Sequence, residues 1–553
     1  MKALIVALNS QYIHSSLAPW YLLSAVRQNL VEAINVKVVE GTVNEDFDEL
    51  YRRIKNENAD VITFSCYIWN ITCVLKLAQK LSQKGVTIAL GGPEVSYCAE
   101  EILSNNSSVD YIISGEGELP FTLLLKAIVN KGDKSKIPGL CYRTENALKI
   151  SQPNITDTIP PNPYSEEYIK SLNGRIAYIE TSRGCPYSCA FCLSGRCGGV
   201  RFFPIERAKS DIITLANSGS KIIKFVDRTF NANRNRAYDI FSFIISNYGK
   251  TIPNGVCFHF EIAGDLLRTE DFELLKTAPN GAIQFEIGMQ SFNSQTLSSI
   301  NRKTNVPLLI ENILTLTQME NIHIHIDLIA GLPKEDLKSF RESFNTAFNL
   351  NADMLQLGFL KLLHGADMRE KSEDYPCEFS KHPPYEVIST PWLSEAELKM
   401  LHYCENALER FCNSGRFKRT NQYIFGVQKR NPFETLVELG VFTGCLSCPL
   451  NEYVDKLYCF FEKGSDPDIL RDALLCDIAT SIKSNSLPKS LLREDKRLRQ
   501  FRGFLEKDET TRRKKGVLRS TFLLYSENCG AYVDYDEEHD GKYILKKIKY
   551  DIN

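Results

Sequence analysis

The sequence predicts an α/β protein in three parts: an N-terminal doubly wound parallel sheet, a central partial (β/α)6 barrel and a mostly helical C-terminal domain. Two observations predict it. Short apolar runs alternate with amphipathic stretches over roughly the first 365 positions, and helical periodicity dominates beyond them. The 553 residues suit about three domains, each able to bury a core of ordinary size.

In residues 1–150, Lys2 to Leu8, Val36 to Glu40, Val61 to Cys66, Val86 to Leu90 and Asp110 to Ile113 read as short buried strands. Ala18 to Leu30, Asp46 to Asn56, Ile71 to Gln83 and Leu119 to Val129 carry the helical period between them. A parallel sheet wound this way binds ligands beyond the carboxyl ends of its strands. The loops there are Asn9 to Pro19, Ser65-Cys-Tyr-Ile-Trp-Asn70, Gly91-Gly-Pro-Glu-Val-Ser96 and Ser114-Gly-Glu-Gly-Glu118. Their glycines permit close backbone approach and their Ser and Asn offer hydrogen bonds, so together they are expected to line one large flat pocket.

Residues 151–175, with Pro153, Pro160, Pro161 and Pro163, have linker composition. Six strands are expected in residues 176–365: Ile176 to Thr181, Ile222 to Val226, Val256 to Ile262, Ala282 to Gly288, Ile322 to Ile329 and Met354 to Leu360. Helical stretches such as Glu206 to Ala216, Arg236 to Ser246, Pro307 to Met319 and Glu335 to Leu350 separate them. Residues 366–553 open charged and Pro-rich, then turn helical at Ser394 to Cys412, Val454 to Glu462 and Asp468 to Ile482. The Cys-x-x-Cys at Cys445 and Cys448 has no second pair or His at ligand spacing, so a helix-terminal turn is preferred there over a metal or redox site.

A net charge of −2 supplies no global basic field to recruit nucleic acid. The local clusters Arg493, Lys496, Arg497, Arg499, Arg502 and Arg512-Arg-Lys-Lys515 read as a solvated helix face and a basic turn, with RNA or phosphate contact as the alternative. Seventeen cysteines, mostly scattered singly among apolar residues, suit a reducing cytosol. Met1 to Leu8 reads as a strand and not a signal peptide, and no stretch reaches the roughly 18 apolar residues of a membrane span. A soluble cytoplasmic protein is expected.

Cys185, Cys189 and Cys192 form a Cys-x3-Cys-x2-Cys loop directly after the first strand of the barrel. Three thiolates on one loop can each hold one iron of a cubane, leaving the fourth iron open to a ligand. A zinc loop is the alternative, with Cys197 near enough to complete four-coordination. Three reduced cysteines without metal are a third reading, against which Gly184, Pro186 and Ser188 mark a loop and not a packed helix face.

The cysteine spacing resembles the signature of the radical S-adenosyl-L-methionine (SAM) enzymes. In that family the open iron of a 4Fe-4S cluster chelates SAM, and one electron cleaves it to a 5'-deoxyadenosyl radical. Six repeats, short of a full TIM barrel, are similar to the family's TIM-like partial barrel. The ends of the fourth and fifth strands look like those of oxygen-independent coproporphyrinogen oxidase and its relatives. By that resemblance Gln290 and Arg302 hold the methionyl carboxylate, Glu261 the amino group and Asp327 the ribose hydroxyls, with Phe191 stacked on adenine and Asp227 joining the set. The chemistry suits: an Arg fork matches a carboxylate, and carboxylates accept from ammonium or hydroxyls.

The four N-terminal loops, followed by the cysteine loop, resemble the cobalamin-binding domain of one class of these enzymes. The implied contacts are His14, Ser65, Tyr67, Gly91, Gly92, Pro93, Glu94, Gly115, Glu116, Gly117 and Glu118. The Asp-x-His-x-x-Gly motif of methionine-synthase-type domains is missing, since His14 has Tyr12 two residues before it and Leu17 three after. The implied subclass leaves cobalt without a protein histidine below. A flavodoxin-like domain binding a nucleotide, or nothing, is the alternative.

The resemblance spans about the first 360 residues, and the remainder is similar to an uncharacterised branch of these proteins. It implies a 4Fe-4S cluster, SAM and cobalamin as cofactors, anaerobic working conditions, and methyl transfer to an unactivated carbon. A cyclase or oxidase in the manner of anaerobic magnesium-protoporphyrin cyclase is the alternative, and a noncatalytic cobalamin or redox sensor is the competing class. The expected partners are a small-molecule substrate and an electron donor such as flavodoxin or ferredoxin, with no membrane and with nucleic acid disfavoured but left open. No residue is singled out as acid, base or nucleophile.

Overall fold

A computed structural model describes the chain except for residues 30–33, 83–84, 446–447, 484–486, 494, 508–510, 512–519, 540 and 551–553. The basic turn Arg512 to Lys515 lies outside the described residues. The chain divides into two units, one of Met1–Asp336, Leu350–Ala352 and Phe359–Ser394, the other of Leu337–Asn349, Asp353–Gly358 and Glu395–Asn553.

The first unit holds two parallel sheets. In the first, β1 (Lys2–Asn9), β2 (Asn35–Thr42), β3 (Val61–Ser65), β4 (Thr87–Gly91) and β5 (Tyr111–Ile113) run parallel in the order β2-β1-β3-β4-β5. Two strands absent from the sequence reading, β6 (Leu140–Arg143) and β7 (Leu148–Lys149), extend it antiparallel. Leu4, Val6, Phe64, Ile88 and Leu90 pack with Val74, Leu77 and Leu81 of the helix Ile71–Ser82 in one fully buried core, which is why these strands read as continuous apolar runs. The strand order switches between β1 and β3, where a doubly wound sheet opens its ligand crevice.

The segment expected as a linker contains the helix Glu166–Leu172, and Asn154 pairs with Gly115. The second sheet follows with β8 (Ala177–Ile179), then the antiparallel hairpin of β9 (Ser182–Cys185) and β10 (Gly199–Phe202) beside it. β11 (Ile222–Phe225), β12 (Cys257–Ile262), β13 (Ile283–Gln290) and β14 (His323–Ala330) continue parallel in the order β8-β11-β12-β13-β14. Helices Ile205–Ala216, Arg234–Asn247 and Val306–Thr317 follow the expected stretches, and the sixth expected strand is present as Met354–Phe359.

The second unit is mainly helical: Glu395–Ala407 continues into the wider turn Leu408–Asn413, and Pro432–Thr443, Leu450–Phe461 and Pro467–Ser481 follow. It also contains an antiparallel sheet of Phe522–Leu524, Cys529–His539 and Lys542–Ile548 that the helical expectation missed. Among the described residues no helix is long and apolar enough to cross a membrane.

Candidate active site

β13 alternates strictly. Ile283, Phe285, Ile287 and Met289 are buried, and Gln284, Glu286, Gly288 and Gln290 are partly open. The buried face joins a phenylalanine cluster, with Phe225 stacked on Phe260 at 4.3 Å and Phe241 edge-on to both Phe260 and Phe285. On the other face the strand register places Tyr178 beside Lys224, Lys224 beside His259, Glu261 beside Glu286, Glu286 beside His325, and Gly288 beside Asp327. A parallel sheet is normally apolar on both faces, so this row of polar side chains marks a site and not a core.

Its charges are interlocked. Glu286 Oε2 accepts from Lys224 Nζ at 2.9 Å and lies 2.9 Å from His259 Nε2. Burial alone would raise the Glu286 carboxyl, but the His259 bond and the Lys224 charge bring it down to about 2. His259 itself is held below its ordinary range, chiefly by burial, against the pull of Glu286. Burial raises the Glu261 carboxyl against the pull of Arg228, and Lys224 Nζ and Arg228 Nη1 each stand 4.0 Å from its oxygens. His325 Nε2 approaches Asp327 Oδ1 at 2.9 Å, near enough for an ion pair but off the axis of a hydrogen bond, so both atoms lack an aligned partner. Burial opposes a charge on His325, yet Asp327 outweighs it and raises the imidazole.

Four of the residues expected to contact SAM gather at these strand ends. Gln290 adopts φ +71°, a conformation costly for a side chain with a Cβ, where β13 slips register against β14. Its Oε1 is buried without a partner, as is Arg302 Nε. These orphaned atoms fit a bound zwitterion: Arg302 Nε–H and the Gln290 amide N–H can face its carboxylate, and Gln290 Oε1 can accept from its ammonium beside Glu261. Glu261 and Asp327 stand on the neighbouring strands, and Phe191 is partly exposed on the cysteine loop. Asp227 does not join them. It is 2% exposed, and its oxygens accept from Thr181 N at 2.8 Å, Thr181 Oγ1 at 2.7 Å and Ser182 Oγ at 2.5 Å, so its carboxylate braces the start of the cysteine loop.

That loop is pinned on both sides: Ala190 N donates to Ile300 O at 2.9 Å, and Met368 N to Ala190 O at 3.0 Å. Cys185 Sγ lies 3.4 Å from Thr229 Oγ1, and Cys192 Sγ accepts from Ser194 N. Burial raises the Cys189 thiol, and Arg302, whose Nη1 is 3.8 Å from the sulfur, offsets part of that. Among the described residues no three His, Cys, Asp or Glu side chains converge as around a single ion. A cubane does not ask for that convergence, because each thiolate binds a different iron. The side chain of Cys197, which the zinc reading needs, lies outside those described.

The loops after β1 and β3 expose aromatic and apolar surface at the switch point: Tyr12 is 66%, Ile13 46% and Trp69 46% accessible, and Trp69 stacks on Tyr67 at 4.4 Å. Ser65 ends β3 in register with Gly91. Gly92, at φ +108°, opens the helix Pro93–Ser96, and a Cβ there would fall 2.5 Å from the Cys66 carbonyl oxygen. Gly115, at φ +84°, leaves no more room, a Cβ meeting Asn154 O at 2.3 Å. Both glycines thus serve close packing of the loops on the chain itself, and the exposed Tyr12, Ile13 and Trp69 supply the apolar surface that would fit a corrin macrocycle.

Several polar residues expected at that surface point elsewhere. Glu94 is buried and accepts from Tyr385 Oη at 2.6 Å. Glu116 pairs with Arg183 Nη1 at 2.9 Å and Arg201 Nη2 at 2.7 Å, and Glu118 pairs with Arg183 Nη2 at 2.6 Å. Glu180 closes the group on Arg183 Nε at 3.0 Å. His14 Nδ1 lies 2.7 Å from Tyr178 Oη, while Arg175 donates to His14 O and pairs with Glu40 at 2.6 Å. These contacts tie the carboxyl edge of the first sheet to that of the second. Tyr178, Arg183, Lys224, His259, Glu286 and His325 went unnoticed in the sequence; the period-2 polar pattern of β13 was the available signal.

In the second unit Cys448 Sγ accepts from Arg410 at 3.0 Å and Cys445 is exposed.

Residues 3–125 match the B12 binding domain family, 179–356 the radical SAM superfamily and 373–522 a family described as a protein of unknown function, DUF4080. The chain is 29% identical over 323 residues to the 2-(S-pantetheinyl)-carbapenam-3-carboxylate methyltransferase of Streptantibioticus cattleyicolor, a match covering 52% of this chain and 44% of that protein. It is 28% identical over 347 residues to the cobalamin-dependent radical SAM methyltransferase TokK of Streptomyces tokunonensis, covering 57% of this chain and 49% of TokK. The chain thus spans about half the length of these curated relatives. The solved structure of the cobalamin-dependent SAM radical enzyme OxsB, with aqua-cobalamin and SAM bound, shares the fold with a TM-score of 0.59 at 14% identity, over 86% of this chain and 78% of OxsB.

Proposed function

We propose that this chain, which joins a B12-binding domain to a radical SAM domain, is a cobalamin-dependent radical SAM methyltransferase acting on an unactivated carbon of a small molecule. The observation that carries the reading is the meeting of two carboxyl edges. His14 after β1 touches Tyr178 on β8, and Glu116 and Glu118 after β5 grip Arg183 on β9. A ligand on the first sheet and a ligand on the second therefore face one space.

Cys185, Cys189 and Cys192 would hold the 4Fe-4S cluster. Gln290 and Arg302 would take the methionyl carboxylate of SAM, Glu261 its ammonium, Asp327 the ribose and Phe191 the adenine. The loops 9–16, 65–70, 91–96 and 114–118 would hold cobalamin. When bound, cluster and SAM together supply a hydrogen-abstracting 5'-deoxyadenosyl radical, and cobalamin supplies the methyl group. The chain's own contribution is placement. Arg302 and Gln290 orient one end of SAM, Asp327 with His325 Nε2 at 2.9 Å faces the other, and the tethers between the sheets fix the distance the substrate must bridge.

The two uses of SAM give the test. Anaerobic turnover with SAM, cobalamin, a reductant and deproteinised cell metabolites is expected to yield equal amounts of S-adenosylhomocysteine, 5'-deoxyadenosine and methylated product. 5'-Deoxyadenosine without S-adenosylhomocysteine would point to a cyclase or oxidase.

A further inference from the structure

The polar face of the second sheet carries more groups than SAM would use. Glu286 Oε2 gathers Lys224 Nζ and His259 Nε2, both at 2.9 Å, and so fixes the ammonium in place. That bond uses one of the three Lys224 protons. The next carboxylate oxygen, on Glu261, is 4.0 Å away and beyond hydrogen-bond reach. The Lys224 side chain is 26% exposed and that of Arg228, also 4.0 Å from Glu261, 56%.

The carboxylates nearest Lys224 are Glu286 and Glu261, with Asp327 acting on Glu261 from the neighbouring strands. Burial and Lys224 hold His14 below its ordinary range, burial pushes Tyr178 up to about 12, and burial also raises Tyr67 and Glu261. Glu286 balances Lys224, and Glu261, 4.0 Å from Arg228 Nη1, is shared with the SAM ammonium. Two Lys224 protons and the exposed guanidinium of Arg228 are then available to a ligand.

We propose that Lys224, held by Glu286 and His259, is a specificity-determining residue of this face, and that the substrate it selects carries an oxyanion, either carboxylate or phosphate. This deepens the methyltransferase reading and rests on it. The oxyanion accepts charge-assisted bonds from Lys224 and Arg228. Tyr178 and His14 form the wall toward the first sheet.

The test uses SAM with a trideuterated methyl group and deproteinised cell metabolites, separated on a strong anion exchanger into flow-through and salt-eluted fractions. The deuterium-labelled product is expected from the salt-eluted fraction. Phosphatase treatment of that fraction removes the product if the group is a phosphate and spares it if it is a carboxylate. Lys224→Met should lower product by about tenfold or more, the scale of one charge-assisted hydrogen bond. Lys224→Arg should restore part of it, and both variants should bind SAM like wild type, with Lys224→Met melting lower because it strands the Glu286 carboxylate. Labelled product from the flow-through alone, or undiminished labelling by Lys224→Met, overturns the proposal. If 5'-deoxyadenosine forms but no methyl label is transferred, methyl transfer is what fails. The oxyanion site then stands or falls on whether the salt-eluted fraction stimulates 5'-deoxyadenosine in wild type and not in Lys224→Met.

Discussion

Arg302 spans two parts of the site: one terminal nitrogen donates to the Gly288 carbonyl at the end of β13, and the other lies 3.8 Å from the Cys189 sulfur. Its removal should therefore be felt twice. Arg302→Ala is expected to weaken SAM binding by about 1.5 to 3 kcal/mol, the scale of a hydrogen bond to a charged group. The same change should shift the electron paramagnetic resonance spectrum of the reduced cluster. Arg302→Lys should recover little of the SAM affinity, because a point charge replaces a planar fork. Unchanged affinity by calorimetry would contradict the assignment.

The cysteine loop gives a compositional prediction. Anaerobically reconstituted protein should hold four iron and four sulfide per chain. Each of Cys185→Ala, Cys189→Ala and Cys192→Ala should lose most of both, whereas Cys197→Ala keeps them. Zinc in place of iron, lost with Cys197, would restore the four-coordinate alternative.

Asp227→Ala should act on stability more than on SAM. The substitution strands the Thr181 amide and the Thr181 and Ser182 hydroxyls in a buried place, at about 3 kcal/mol or more. Thermal unfolding of the folded fraction, set beside its SAM affinity, separates this bracing role from ligand contact.

The depressed Glu286 carboxyl fixes the sign of an acid effect. Its value falls from 4.5 to about 2 on folding, so the stability it contributes is fully present above about pH 4.5 and is lost as pH drops toward 2. The contribution is on the order of 3 kcal/mol. Glu286→Gln should be less stable than wild type at neutral pH and converge with it in acid. A constant gap in melting temperature across that window would refute the ionised pair.

His14→Ala should leave the spectra of bound cobalamin unchanged, since Nδ1 already faces Tyr178 and, among the described residues, no carboxylate hydrogen-bonds the ring to orient it toward cobalt. Nitrogen hyperfine structure on Co(II) that vanishes in this variant would show the opposite.

What could be read in the sequence follows from range. The strands of both sheets announce themselves as local apolar runs, and the cysteine loop as a local spacing. His325, by contrast, sits between Ile324 and Ile326 and Lys224 between Ile223 and Phe225, so each looks like one polar residue in a buried strand. Only register with a neighbouring strand makes a row of them. The same holds for Glu116 and Glu118, whose arginine partners lie more than sixty positions away and turn expected ligand contacts into ion pairs. The C-terminal sheet escaped because Cys529–His539 carries Asp534, Asp536, Glu537 and Glu538, a composition poor in strand formers.

Arg183 stands two residues before Cys185 and is clamped by Glu116 and Glu118, with its side chain only 15% exposed. A first domain transplanted from a relative would have to bring an acid to each of those two places. Otherwise the largely buried guanidinium would keep Glu180 alone and lose the partners of both its terminal nitrogens beside the cysteine loop. The two domains are therefore not interchangeable modules, and a working chimera has to inherit the Gly-Glu-Gly-Glu loop and the Arg183 hairpin from the same parent.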